Sequence, residues 1–157
     1  MRRALLLPLL VSCATAPPPP AEPTVVSEAG VVEIAPGVTV EVAPGWRLDK
    51  QDNLLIAHAP EGGLSLATVI ERAESGEAAV HAAWARVAPD MKWPEQAVRH
   101  PPARDGWDEA VRVEYDVPVA EAYVVLAMGR RAGERWYIQL ARGPADLFDR
   151  RGAQLAT

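Results

Sequence analysis

The sequence has one cysteine, Cys13, two lysines and one phenylalanine. Its early apolar run, residues 4–11, has eight residues, whereas a membrane-spanning helix needs roughly 20. A single cysteine excludes an intramolecular disulfide and a zinc site built from several thiolates. The net charge is −5 at pH 7, whereas nucleic-acid binding requires a basic surface. We therefore expect no nucleic-acid partner.

Recognisable catalytic and metal-binding motifs are also missing. The four serines, at positions 12, 27, 65 and 75, lie neither in G-x-S-x-G nor in S-x-x-K, and no glycine-rich phosphate-binding loop is present. His58, His81 and His100 do not have the short spacing of a metal site. The sequence therefore predicts a protein that is not an enzyme, with no catalytic residue, no cofactor and no bound metal.

The N-terminus combines Arg2 and Arg3, the apolar run 4–11 and the sequence LVSC at 10–13. A positive start before a short apolar run is typical of a secretory signal peptide. The LVSC motif resembles the bacterial lipobox. That resemblance implies a diacylglyceryl thioether on Cys13, cleavage before Cys13 and acylation of the new amine. We predict a signal peptide at 1–12; the alternative is an ordinary signal peptide with an incidental cysteine.

The segment 13–30 follows with prolines at 17–20 and 23. Proline-rich segments favour extended polyproline II and act as semi-rigid spacers, although this one could instead be a proline-rich ligand for a partner. Ala14 follows the cysteine in place of the aspartate that marks inner-membrane retention. The lipobox resemblance therefore predicts an outer-membrane lipoprotein that faces the periplasm, with the membrane as partner through the lipid on Cys13.

The remaining residues, 31–157, are predicted to form a single α+β domain. VTVEV at 38–42 and AVRVEYDV at 110–117 alternate like half-buried strands, and two further pairs of apolar runs read as hairpins. Helical spacing over 76–88 begins at Ser75, a typical N-cap, and a second helix is expected to begin at Gly143–Pro144. These patterns predict a mainly antiparallel sheet of about six strands with two flanking amphipathic helices.

Five tryptophans are present. Trp84 and Trp136 lie at core positions of a predicted helix and strand, whereas Trp93 and Trp107 fall in loops and are predicted surface contacts. Asp105 and Asp108 flank Trp107 and could form part of a ligand-binding lip or a calcium loop; the alternative is a turn whose tryptophan packs on the sheet. We expect Trp93, Trp107, Asp105 and Asp108 to contact an unidentified protein or cell-wall partner.

Four stretches, VEIAPGVTVEVAPGW, EAAVHAAWARVAP, PPARDGWDEAVRVEY and FDRRGAQLA, resemble the N-terminal non-catalytic region of lipoprotein-type serine hydrolases of the class C β-lactamase type. The order of elements also resembles a PsbP-like α/β/α sandwich. The resemblance implies a membrane-anchored, non-catalytic domain that binds a protein or cell-envelope partner. The alternative is an accessory or regulatory domain of a hydrolase whose catalytic domain is not in this chain.

Replacing the predicted lipidation residue should abolish membrane anchoring. Cys13→Ser removes the sulfur that would carry the lipid. The variant then has no stable anchor, because even a single acyl chain holds a protein to a bilayer only weakly. Mass spectrometry of the chain isolated from bacterial membranes should find a lipidated N-terminal cysteine in the unsubstituted protein only. An unmodified sulfur and an uncleaved leader in that protein would contradict the lipobox assignment.

Overall fold

A computed structural model describes residues 23–151 of the chain. The predicted signal peptide, Cys13 and most of the predicted spacer lie outside the described residues, as do residues 152–157. The first described element is a two-residue strand, Thr24–Val25, which falls within the predicted spacer 13–30.

Residues 23–151 form ten strands, two α-helices and one short 3₁₀ turn, Val119–Glu121. In chain order these are β1 (Thr24–Val25), β2 (Gly30–Ala35), β3 (Val38–Val42), β4 (Arg47–Gln51), β5 (Leu54–His58), β6 (Ser65–Glu71), α1 (Gly76–Val87), β7 (Glu95–Arg99), β8 (Glu109–Tyr115), β9 (Tyr123–Ala132), β10 (Arg135–Pro144) and α2 (Ala145–Arg151).

Eight of these strands form one antiparallel sheet in the order β1-β4-β5-β6-β10-β9-β8-β7, while β2 and β3 pair separately as a hairpin. The α+β class is confirmed, but the predicted sheet of about six strands is wrong, because the main sheet has eight strands and a separate hairpin adds two. Strand β4 reads RLDKQ, in which only Leu48 is buried, and β1 has two residues. Neither strand carries the apolar alternation by which strands are recognised.

Helix α1 covers one face of the sheet, which we call the α1 face. Its N-cap is Ser75, whose Oγ accepts a hydrogen bond from the backbone N–H of Ala78 at 3.2 Å, as the sequence predicted. Trp84 of α1 donates its indole N–H to the Tyr115 hydroxyl oxygen at 2.8 Å. Burial raises the pKa of Tyr115 to about 12. The predicted core positions Trp84 and Trp136 are confirmed, with exposures of 6% and 1%.

Two glycines allow this close packing. A Cβ on Gly76, the first residue of α1, would lie 2.7 Å from Val111 Cγ1 of β8. A Cβ on Gly129 of β9 would lie 2.8 Å from the same atom and 2.7 Å from Ile138 Cδ1 of β10. Because real side chains do not approach so closely, α1 can sit on β8–β10 at its observed distance only with glycine at these positions.

The opposite face, which we call the open face, is covered by the β2–β3 hairpin and by α2. Ile34 and Val40 of the hairpin pack with the fully buried Trp46 and with Leu55 of β5, and Leu147 and Phe148 of α2 pack at the edge of this cluster. Within residues 23–151, the hairpin and helix α2 cover this face of the sheet only in part. This leaves half-buried side chains on strands β6, β9 and β10.

The second helix begins later than predicted. Gly143 and Pro144 pair with Val124 and Tyr123 and are the last residues of β10, so that α2 begins at Ala145. A Cβ on Gly143 would lie 2.7 Å from Leu64 Cα. Glycine is therefore needed here for backbone packing against the segment before β6, and the prediction that it opens a helix was wrong.

Gly129→Ala should destabilise the fold by about 1–3 kcal/mol, the usual cost of overpacking a tight core. The matched control is Gly30→Ala on β2, where a Cβ would meet nothing closer than Glu28 O at 3.8 Å. This control substitution should leave the free energy of unfolding nearly unchanged. Urea unfolding followed by tryptophan fluorescence measures both variants. Equal stability of Gly129→Ala and the parent chain would contradict the close contact.

Candidate functional site

A groove of about 310 Å³ lies on the open face, and we call it the open groove. Val40 of β3 and Phe148 of α2 form its two walls. Its floor is formed by side chains of β6, β9 and β10, chiefly Leu66, Thr68, Leu126, Met128 and Gln139. Apolar side chains therefore dominate a concave surface that contains three polar side chains, Thr68, Gln139 and Arg130.

A second depression of about 150 Å³ continues the open groove toward the end of β9. It shares Val40, Met128 and Arg130 with the first and adds Trp107 and Tyr137. Together the two volumes fall within the roughly 300–1,000 Å³ of small-molecule sites. We treat them as one groove whose far end is formed by Trp107 and Arg130.

Strand alternation explains which side chains reach this groove. On β9, Val125, Ala127 and Gly129 are buried toward α1, so Leu126 and Met128 between them point to the open face. Strand β10 follows the same rule: Gln139 lies opposite Met128 in the antiparallel register. Leu126, Met128 and Gln139 are all half-buried.

The polar end of the groove is built around Arg130. Its guanidinium carbon lies 5.9 Å from the centroid of the Trp107 ring, a distance at which a cation is attracted to an aromatic face. The Trp107 ring in turn meets Tyr137 edge-on, with centroids 5.3 Å apart and planes at 65°. Among the described residues Arg130 forms no ion pair, whereas its neighbour Arg131 pairs with Glu109. The groove thus ends at a guanidinium that forms no ion pair within residues 23–151.

The predicted contact residues Asp105 and Asp108 lie near this end. Asp105 has a left-handed backbone, with φ of 57°, and lines a shallow cavity together with Arg104, Trp107 and Arg130. Asp108 accepts a hydrogen bond from the backbone N–H of Gly133 at 2.7 Å. Its carboxylate therefore tethers the loop before β8 to the turn between β9 and β10.

Trp93 lies elsewhere, packed against the core on the α1 face. Its ring stacks on Tyr123 with centroids 5.2 Å apart, and Lys92 Nζ lies 5.1 Å from its centroid. A separate cavity of about 420 Å³ joins Trp93 to His58 and Arg142. The structure thus brings Trp107, Asp105 and Asp108 together, but it does not bring Trp93 to them.

Sequence reasoning missed Leu66, Leu126, Met128 and Arg130 as site residues. The run YVVLAMGR at 123–130 is apolar on both faces of β9, which predicts a strand covered on both sides. Because the β2–β3 hairpin and α2 cover the open face only in part within residues 23–151, Leu126 and Met128 of this run lie on the floor of a groove. The missing information was how far β2, β3 and α2 reach across the sheet.

Two of the three histidines form surface pairs with glutamates. His81 of α1 lies 2.9 Å from a Glu95 carboxylate oxygen, and His100 lies 3.0 Å from one of Glu77. Residues 23–151 contain no group of three or more His, Cys, Asp or Glu side chains placed to hold a metal ion. Neither helix in this range has the length and hydrophobicity needed to cross a bilayer.

Comparison with models of known protein families finds no match for the chain, and a search of curated proteins finds none either.

His58 should make the stability of the protein depend on pH. Burial, together with the nearby Arg47 and Arg142, lowers the pKa of His58 from its ordinary value of 6.5, with Asp49 opposing. Between the lowered pKa and 6.5 the unfolded chain binds more protons, so the free energy of unfolding should fall as pH drops through this window.

The test compares His58→Gln with the parent chain by urea unfolding over a pH series. The loss of stability below pH 6.5 should be smaller in the variant, because a group that binds a proton only in the unfolded chain has been removed. The histidines at 81 and 100 are retained in both proteins and serve as the internal control. Identical pH dependence in the two proteins would contradict the burial of His58.

Proposed function

We propose that this protein is a bacterial envelope lipoprotein, held to the membrane by lipid on Cys13, whose folded domain is a non-catalytic binding module. The open groove is the binding surface, and it receives the apolar part of an envelope component. The observation that carries this proposal is the half-buried state of Leu66, Leu126 and Met128 on the floor of a concave surface.

The energetics of these side chains support a binding role. Burying a leucine or methionine fully is worth about 1.5–3 kcal/mol relative to exposure. The core on the α1 face gains this energy within the chain, whereas the floor of the open groove gains only part of it. A ligand that completes the burial would gain the rest, and concave apolar surfaces with a few polar groups are the usual form of ligand sites.

The predicted anchor supports an envelope component as the ligand. Polyproline II extends about 3.1 Å per residue, so a spacer of some ten residues after Cys13 would keep the domain within roughly 30 Å of the bilayer surface. A groove at that distance meets membrane and cell-wall components at high local concentration.

Site-specific photo-crosslinking tests the proposal in cells. The photoreactive amino acid p-benzoylphenylalanine replaces Met128 in the groove, and in the control chain it replaces Val119, which is 96% exposed outside the groove. We expect an adduct with an envelope component from position 128 only. Adding Leu126→Lys, which places a charge on the groove floor, should reduce the adduct at least about tenfold, since burying an unpaired charge is costly.

Two results would contradict the proposal. One is equal adduct formation from positions 119 and 128, which would show that the groove is not a preferred surface. The other is an adduct at position 128 that is unaffected by Leu126→Lys.

A further inference from the structure

We infer that the ligand of the open groove is a long-chain fatty acid, bound with its alkyl chain along β9 and its carboxylate at Arg130. The inference rests on the proposed function, because it assigns a chemical class to the component that the groove receives. Three observations support it: the distribution of apolar and charged groups, the state of Arg130 and the pairing of the strands below.

The apolar and charged groups lie at opposite ends of one groove. Leu126 and Phe148 line the apolar end, Met128 lies in the middle, and Arg130 and Trp107 form the charged end. Arg130 follows Leu126 by four residues of extended strand, so the two positions lie about 13 Å apart at the usual rise per residue. A ligand that fills this groove therefore needs an apolar chain and one anionic head.

Arg130 is free to bind that head. It is exposed, and its guanidinium contacts the Trp107 ring while no carboxylate in residues 23–151 pairs with it. A guanidinium offers a planar pair of N–H donors that match a carboxylate in bidentate geometry. The adjoining cavity adds Arg104 and one opposing acid, Asp105. One strongly placed cation suits a singly charged carboxylate better than a phosphate monoester, which carries a charge of about −1.5 to −2.

The strands below disfavour an extended peptide as the occupant. Each of β5, β6, β10 and β9 is paired with a neighbour on both sides, so their backbone groups are already used. A peptide in the groove would bury its own N–H and C=O groups with only the Thr68 and Gln139 side chains on the floor, and Gln139 already has an interaction partner. Unpaired buried peptide groups are costly, whereas an alkyl chain has none.

Trp107 provides a direct reporter of binding, because it is the only one of the five tryptophans in the groove lining, where it lines the second depression. The full chain with Cys13→Ser, free of its own lipid, is titrated with a fatty acid brominated at the carbon next to its carboxyl group. The inference places this carbon beside Trp107, and bromine quenches tryptophan fluorescence on contact. We expect saturable quenching that is lost in Trp107→Phe. The brominated methyl ester of the same acid is the uncharged comparison.

Two groove variants separate the roles of charge and apolar surface. Arg130→Gln should weaken binding of the acid about tenfold, which corresponds to about 1.4 kcal/mol, and leave binding of the ester unchanged. Met128→Lys should abolish binding of the ester. Val31→Lys, at a position 62% exposed on β2 and outside the groove lining, is the matched control and should bind both ligands as the parent does. Urea unfolding checks that all three variants fold.

The outcomes distinguish this inference from the proposed function. No saturable quenching by the acid, or equal effects of Arg130→Gln on acid and ester, would overturn the inference. If groove-specific crosslinks at position 128 persist in that case, the proposed function stands and only the ligand class is wrong. Suppression of the crosslink by an apolar peptide added before irradiation, but not by the fatty acid, would also overturn it.

Discussion

The antiparallel pairing of β9 with β10 is the constraint on which the rest of the structure depends. Ten consecutive residues of each strand are in register, and this register places Gly129 opposite Ile138 beneath α1 and Met128 opposite Gln139 on the open face. Since side chains alternate between the faces of a strand, the same pairing that builds the buried core also fixes the floor of the groove. A shift by one residue would exchange the two sets.

The difference between the two faces arises from what covers them. Twelve residues of α1 lie across the centre of one face, at a distance set by Gly76, Gly129 and Val111. The other face is covered by a two-stranded hairpin and by the seven residues of α2, which starts only after Pro144 has completed β10. Val40 and Phe148 therefore come to the edges of the depression without closing it. Within residues 23–151, the late start of α2 leaves the depression between Val40 and Phe148 open.

Local patterns predicted the elements that satisfy simple periodicity. Val111, Val113 and Tyr115 of β8 are buried together on the α1 face, as their alternation indicated, and Ser75 caps α1. Strands β1 and β4 escaped prediction because tertiary pairing, not an apolar pattern, holds them in the sheet. Trp107 was predicted to contact a partner, which stays a prediction, and its neighbours in the fold, Arg130 and Tyr137, were not predicted. Trp107 precedes β8, whereas Arg130 lies on β9 and Tyr137 on β10. Their contacts depend on the register in which these strands pair, and the sequence pattern does not fix that register.

A binding role for the open groove requires that one face of the sheet is closed and the other is accessible. Methyl NMR of the full chain in the presence of a soluble paramagnetic agent measures this directly, because the agent broadens only signals that solvent can approach. The account predicts strong broadening of the Met128 methyl signal, whose side chain is half-buried in the groove, and none of the Ile138 methyl signals, whose side chain is 0% exposed beneath α1. Equal protection of the two residues would show that the groove is covered and would contradict the account.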